Sequence, residues 1–119
     1  MSGSVDVDVW VRGTLHATTH RILSVWPGAE EWTEADVRQL LSEMLRALER
    51  EKNPGGQPPP ITLRGFSWIV SPDETGGVLL HLDMQMGTVS AGPFQIAEHR
   101  LSELIERVMD KPSSAERVH

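Results

Sequence analysis

Residues 5–12 alternate, with Val5, Val7, Val9 and Val11 on one side and Asp6, Asp8, Trp10 and Arg12 on the other. β-Branched residues at a strict period of two predict a half-buried strand. Ile22, Leu23 and Val25 mark a second strand over residues 18–26, ended by Pro27-Gly28. The period then changes. Val37, Leu40, Leu41, Met44, Leu45 and Leu48 recur at the three- and four-residue spacing of one helical face. Thr33 is placed to cap this helix, because its hydroxyl can accept the free backbone N–H of Asp36. Asp36, three positions on, makes a short-armed capping box, and Trp32 with Val37 fits a hydrophobic staple. Glu34 and Asp36 at the start and Arg50 and Lys52 at the end complement the helix dipole.

Residues 53–60 hold four prolines and two glycines, which excludes helix and central strand and predicts a stiff surface loop. Residues 61–71 read as a third strand and 72–77 as a polar hairpin loop. Residues 78–86 read as a fourth strand. It carries Val78, Leu80, Leu82, Met84 and Met86 on one face and His81, Asp83 and Gln85 on the other. Gly92-Pro93 is expected to open a second helix, with Ala97, Leu101, Leu104, Ile105 and Val108 as its buried stripe and Pro112 as its end. The expected fold is therefore α+β: an antiparallel four-stranded sheet with two helices on one face, in the order ββαββα. It fills a single domain over residues 1–112, followed by a flexible tail at 113–119. Residues 9–13 echo 61–65 and residues 41–45 echo 101–105, as a weak internal repeat would.

Composition narrows the chemistry. The chain has 119 residues, enough for one core, and no cysteine. That removes disulfides, thiolate metal sites and cysteine nucleophiles. With 11 Lys+Arg against 17 Asp+Glu the formal charge is −6, which argues against nucleic-acid and anionic-membrane partners. No apolar run approaches a membrane span, and residues 1–4 show neither the basic region nor the apolar core of a signal peptide, so a cytoplasmic location is expected.

With helices on one sheet face, the other is free. Continuing the alternation, that face should carry Trp10, Arg12 and His16 from the first strand and Arg64, Phe66 and Trp68 from the third. The fourth adds His81, Asp83 and Gln85. Aromatic rings with arginines are the composition of an interface centre. Two readings stay open: this face binds a partner, or a loop folds over it. His16 and His20, four apart on a strand, would lie about 13 Å apart and could not share one metal ion. No metal and no cofactor is expected, and no catalytic residue is marked by a motif. Residues 87–93 lack the lysine and glycine spacing of a phosphate loop.

In size, acidity and α+β character the chain is similar to small bacterial secretion chaperones and toxin-immunity proteins, which work by binding other proteins. The likeness is one of class: secretion chaperones begin with a helix and this chain with a strand, and no residue carries over. The expectation is a small binding module, of adaptor, chaperone or immunity type, or a homodimer. It would use Trp10, Arg12, Arg64, Phe66, Trp68, His81 and Asp83 to hold another protein or its own copy. The alternative is a small enzyme or ligand-binding domain with a His81/Asp83 site on the sheet. Single-stranded nucleic acid stacking on Trp10, Phe66 and Trp68 is a third reading, disfavoured by the charge.

Overall fold

The N-terminal alternation is a strand in a computed structural model of the chain, which describes residues 2–25, 28–53, 55–56, 63 and 65–110, the side chains of 2–4 and 23–25 excepted. Strand β1 (Ser2–Val11) turns back into β2 (Thr18–Val25). A single 3-10 turn (Ala29–Glu31) leads to helix α1 (Glu34–Lys52). Strands β3 (Ser67–Pro72), β4 (Val78–Met84) and β5 (Gly87–Phe94) follow, and helix α2 (Glu98–Asp110) comes last. Among the described residues these strands form one antiparallel sheet in the order β2-β1-β5-β4-β3.

The helix-start reading holds in detail. Thr33 caps α1. Its backbone N–H donates to the Asp36 carboxylate at 2.9 Å, and its hydroxyl oxygen accepts from the Asp36 N–H at 3.4 Å. A cap of this kind contributes about 1 kcal/mol. Trp32 and Val37 are both buried, and the Trp32 ring stands edge-on to Phe94 with centroids 4.9 Å apart. The whole stripe from Val37 to Leu48 is buried, joined by Ala47.

The sheet has five strands rather than four, and the order is ββαβββα. The alternation over 78–86 conceals a hairpin: Met84 pairs with Gly87 and leaves Gln85-Met86 as a two-residue turn. Neither turn residue is Gly, Asn or Pro, so no local turn signal interrupts the pattern. Gly92-Pro93 does not open a helix but lies inside β5. There Val78 faces Phe94 while Leu80 faces Ala91, so three steps on β5 oppose two on β4. Such a bulge accommodates a proline that has no N–H for the ladder. Gly92 has φ +121°, and a Cβ there would stand 2.8 Å from the Val78 carbonyl oxygen. Helix α2 therefore begins at Glu98. Leu101, Leu104, Ile105 and Val108 are buried as expected, but Ala97 is exposed. Among the described residues the strand expected over 61–71 is seen as Ser67–Pro72; residues 61, 62 and 64 and the tail 113–119 lie outside the described residues.

Helix α1 packs on β1, β2 and β5, while α2 packs on β3 and against α1. Val5, Val7 and Val9 of β1, Leu80 and Leu82 of β4, and Val89 and Ala91 of β5 face the helices and join them in one buried cluster. No polar or charged side chain is fully buried among the described residues. At the β2 edge, Glu51 near the end of α1 reaches back to the sheet. Its carboxylate contacts His20 Nε2 at 2.8 Å and accepts from the Thr18 hydroxyl at 3.3 Å.

Candidate functional site

Cross-strand partners project to the same side of a sheet, so the register fixes what the helix-free face carries. One row runs Thr19, Asp8, Ser90, His81, Ile69 from β2 across to β3. The next row runs Trp10, Thr88, Asp83, Ser67. All of these side chains are exposed or half-exposed.

Trp10, His81 and Asp83 therefore stand on the outer face as the alternation requires. Phe66 and Trp68 do not. Trp68 pairs with the fully buried Leu82, and both rings pack half-buried against the core. The expected phase placed the polar residues of β3 inward and its aromatics outward. Along β3 the reverse holds: Ser67 and Ser71 face outward with Ile69, which is 61 % exposed. Phe66 and Trp68 cover the β3 end of the core, where α2 packs. Arg64 lies outside the described residues. His16 sits exposed in the β1–β2 connection, while His20 faces α1, so the two histidines do not converge.

Trp10 and Arg12 form the most organised group on this side. The Trp10 indole N–H donates to the Thr14 carbonyl at 3.1 Å, which fixes the ring over the β1–β2 turn. The Arg12 guanidinium carbon lies 5.9 Å from the ring centroid, within cation–π range. Arg12 is held in turn by the β4–β5 hairpin. Its Nε donates to the Gln85 carbonyl at 2.9 Å and its backbone N–H to the Met86 carbonyl at 2.8 Å. Gly87 permits this closeness, because a Cβ there would overlap the Trp10 carbonyl oxygen. Leu15, 91 % exposed, lies in the turn beside this pair.

Charge on the outer face is divided. On the β1–β2 side the carboxylates are partnered: Arg21 Nε donates to Asp6 at 3.0 Å and the Thr19 hydroxyl to Asp8 at 2.7 Å. The hydrogen bond and the charge of Asp6 raise the Arg21 pKa. On the β4 side, the side chains of His81 and Asp83 make no hydrogen bond or ion pair with any described residue. Ser90 stands across from His81, with Asp83 two positions along β4. No side-chain hydrogen bond links these three, so they show no nucleophile–base–orienter chain of the kind acyl-transfer chemistry uses. Among the described residues there is no group of three or more His, Asp or Glu side chains able to hold a metal ion, and no helix long and apolar enough to cross a membrane.

Sequence reasoning did not find Leu15 and Ile69. Leu15 is a lone apolar residue in a polar turn, and Ile69 looks like core on polarity alone. Comparison of the chain with family models, with curated proteins and with solved structures found no match.

Proposed function

We propose that this chain is a small protein-binding module that engages its partner through the helix-free face of the sheet, with Trp10 and Arg12 as the anchor. The observation that carries this reading is the position of Trp10. It is a large ring outside the core cluster, half-exposed and pinned by its own N–H, with a guanidinium at 5.9 Å. A ring held in one orientation loses little entropy on binding, and Trp and Arg dominate interface energetics. The two flanking surfaces suit a mixed contact, apolar at Leu15 and polar at Asp83 and His81.

The test compares wild type with Trp10→Ala, Arg12→Glu and, as a control on α2, Arg100→Ala. Each is immobilised and exposed to an extract of the producing cells. Proteins retained by wild type and by Arg100→Ala should fall at least tenfold in both sheet-face variants. Equal retention by all four would remove the sheet face as the interface. Stability is measured alongside. Trp10→Ala should stay within about 0.5 kcal/mol of wild type, whereas Trp68→Ala should lose on the order of 2 kcal/mol. The opposite ranking would mean that Trp10, not Trp68, belongs to the core.

A further inference from the structure

The two edges of the sheet differ in chemistry. Edge strands expose unpaired backbone N–H and C=O groups and are ordinarily blunted by charge, proline or a bulge. Strand β2 is blunted by charge: its outer face presents Thr19 and the Arg21–Asp6 ion pair, and its inner face is tied to α1 through His20 and Glu51. Strand β3 reads Ser67, Trp68, Ile69, Val70, Ser71, Pro72, with no charged residue. Proline stands only at its end, and its register with β4 runs without a shift. Among the described residues β3 has a strand partner on one side only. Three hydrophobic residues rich in β-propensity lie at its centre, and Ile69 is 61 % exposed.

We infer that the edge of β3 turned away from β4 pairs antiparallel with β3 of a second copy, joining two sheets into one across a two-fold axis at Ile69. This goes beyond the binding face proposed above and uses a different surface. The sequence of β3 is self-complementary in this register. With Ile69 opposite its own twin, Trp68 falls opposite Val70 and Ser67 opposite Ser71 on both sides of the axis. The exposed Ile69 side chains meet on the outer face. The half-exposed parts of Trp68 and Val70 meet on the helix side, an aromatic–β-branched pair of the kind that stabilises antiparallel strands. The serines close both ends with small polar groups. The molecule carries a net charge of −6, yet this strand brings no like charges together, which an approach of β2 to β2 would do through Arg21. A two-fold pairing of this kind is closed and uses the same patch on both copies.

Light scattering on the full chain across a wide concentration range decides the matter. Wild type should move from one to two chain masses as concentration rises, and Ile69→Val should do the same. Ile69→Lys should weaken association at least tenfold, with circular dichroism unchanged and melting temperature unchanged at dilutions where both proteins are monomeric, because the residue is 61 % exposed and outside the core. Trp10→Ala should dimerise like wild type. Amide exchange at residues 67–71 should slow with concentration in wild type and not in Ile69→Lys. A wild type that stays monomeric at its solubility limit overturns the inference. So does a dimer that survives Ile69→Lys, and so does one lost in Trp10→Ala, which would instead assign self-association to the sheet face.

Discussion

At the scale of single residues, the chain's local signals are resolved by short side chains bonding to nearby backbone. Thr33 with Asp36 is one case, and Asp73 with Thr75 is another. Asp73 opens the β3–β4 loop. Its carboxylate accepts from the Thr75 N–H at 3.1 Å and from the Thr75 hydroxyl, and its carbonyl accepts from Gly76 N–H at 3.0 Å. The Thr75 hydroxyl first, and then the Thr75 N–H, lower the Asp73 pKa. Because the folded value is depressed, the loop's contribution is present above the ordinary aspartate value of 3.8 and is lost as pH falls through the folded value. Thr75→Val removes the hydroxyl and keeps the N–H. Asp73 should then titrate at higher pH than in wild type but still below an ordinary aspartate, as followed by carboxyl-carbon NMR. No movement on removing the hydroxyl would mean that the backbone alone sets its acidity. The Thr33–Asp36 cap was legible in the sequence, because the bonded groups lie three positions apart, whereas residues 72–77 were legible only as a polar hairpin loop and not as the Asp73–Thr75 contact.

At the scale of elements, legibility fails where the deciding contact is distant. The phase of β1 was plain from its valines, and Val5, Val7 and Val9 do face the core. The phase of β3 was not, since counting forward from Ile61 crosses residues before the strand begins at Ser67. Polarity misleads further, because Ile69 faces solvent while Trp68 covers the α2 side of the core. Strand β5 was hidden twice, by a turn with no turn-forming residue and by a proline whose bulge the partner strand accommodates. The glycine that could have betrayed it is Gly87. There β1 and β5 approach so closely that a side chain would overlap the Trp10 carbonyl and crowd the Val11 backbone. Gly87→Ala should therefore part the β1–β5 ladder at its end and cost about 1–3 kcal/mol, read by chemical denaturation. It should also release Arg12 from the β4–β5 turn and increase exchange at the Arg12 and Val11 amides. A neutral effect on both would show that the strands separate there without penalty.

At the scale of the molecule, the pairing of β1 with β5 decides how the whole chain behaves. It joins a hairpin at one end of the sequence to a meander at the other, and α1 lies across the seam with contacts to β1, β2 and β5. Without that pairing the chain would be two half-sheets with α1 packed on both, so the core that the two halves share would be split. The buried cluster is continuous from β2 through both helices to β4 and contains no buried charge among the described residues. Unfolding should therefore be a single transition. The chain's four tryptophans report it from different elements: Trp10 in β1, Trp68 in β3, and Trp32, which stands at the start of α1 and packs edge-on against Phe94 at the end of β5, among them. Tryptophan fluorescence and far-ultraviolet circular dichroism should give coincident urea midpoints and equal slopes. Leu41→Ala, at a fully buried position in α1, should lower stability by about 2–5 kcal/mol and shift both curves together. If fluorescence moved with the variant while a separate dichroism transition stayed in place, the meander would hold its structure without the hairpin. The seam would then be a domain boundary rather than the middle of one core.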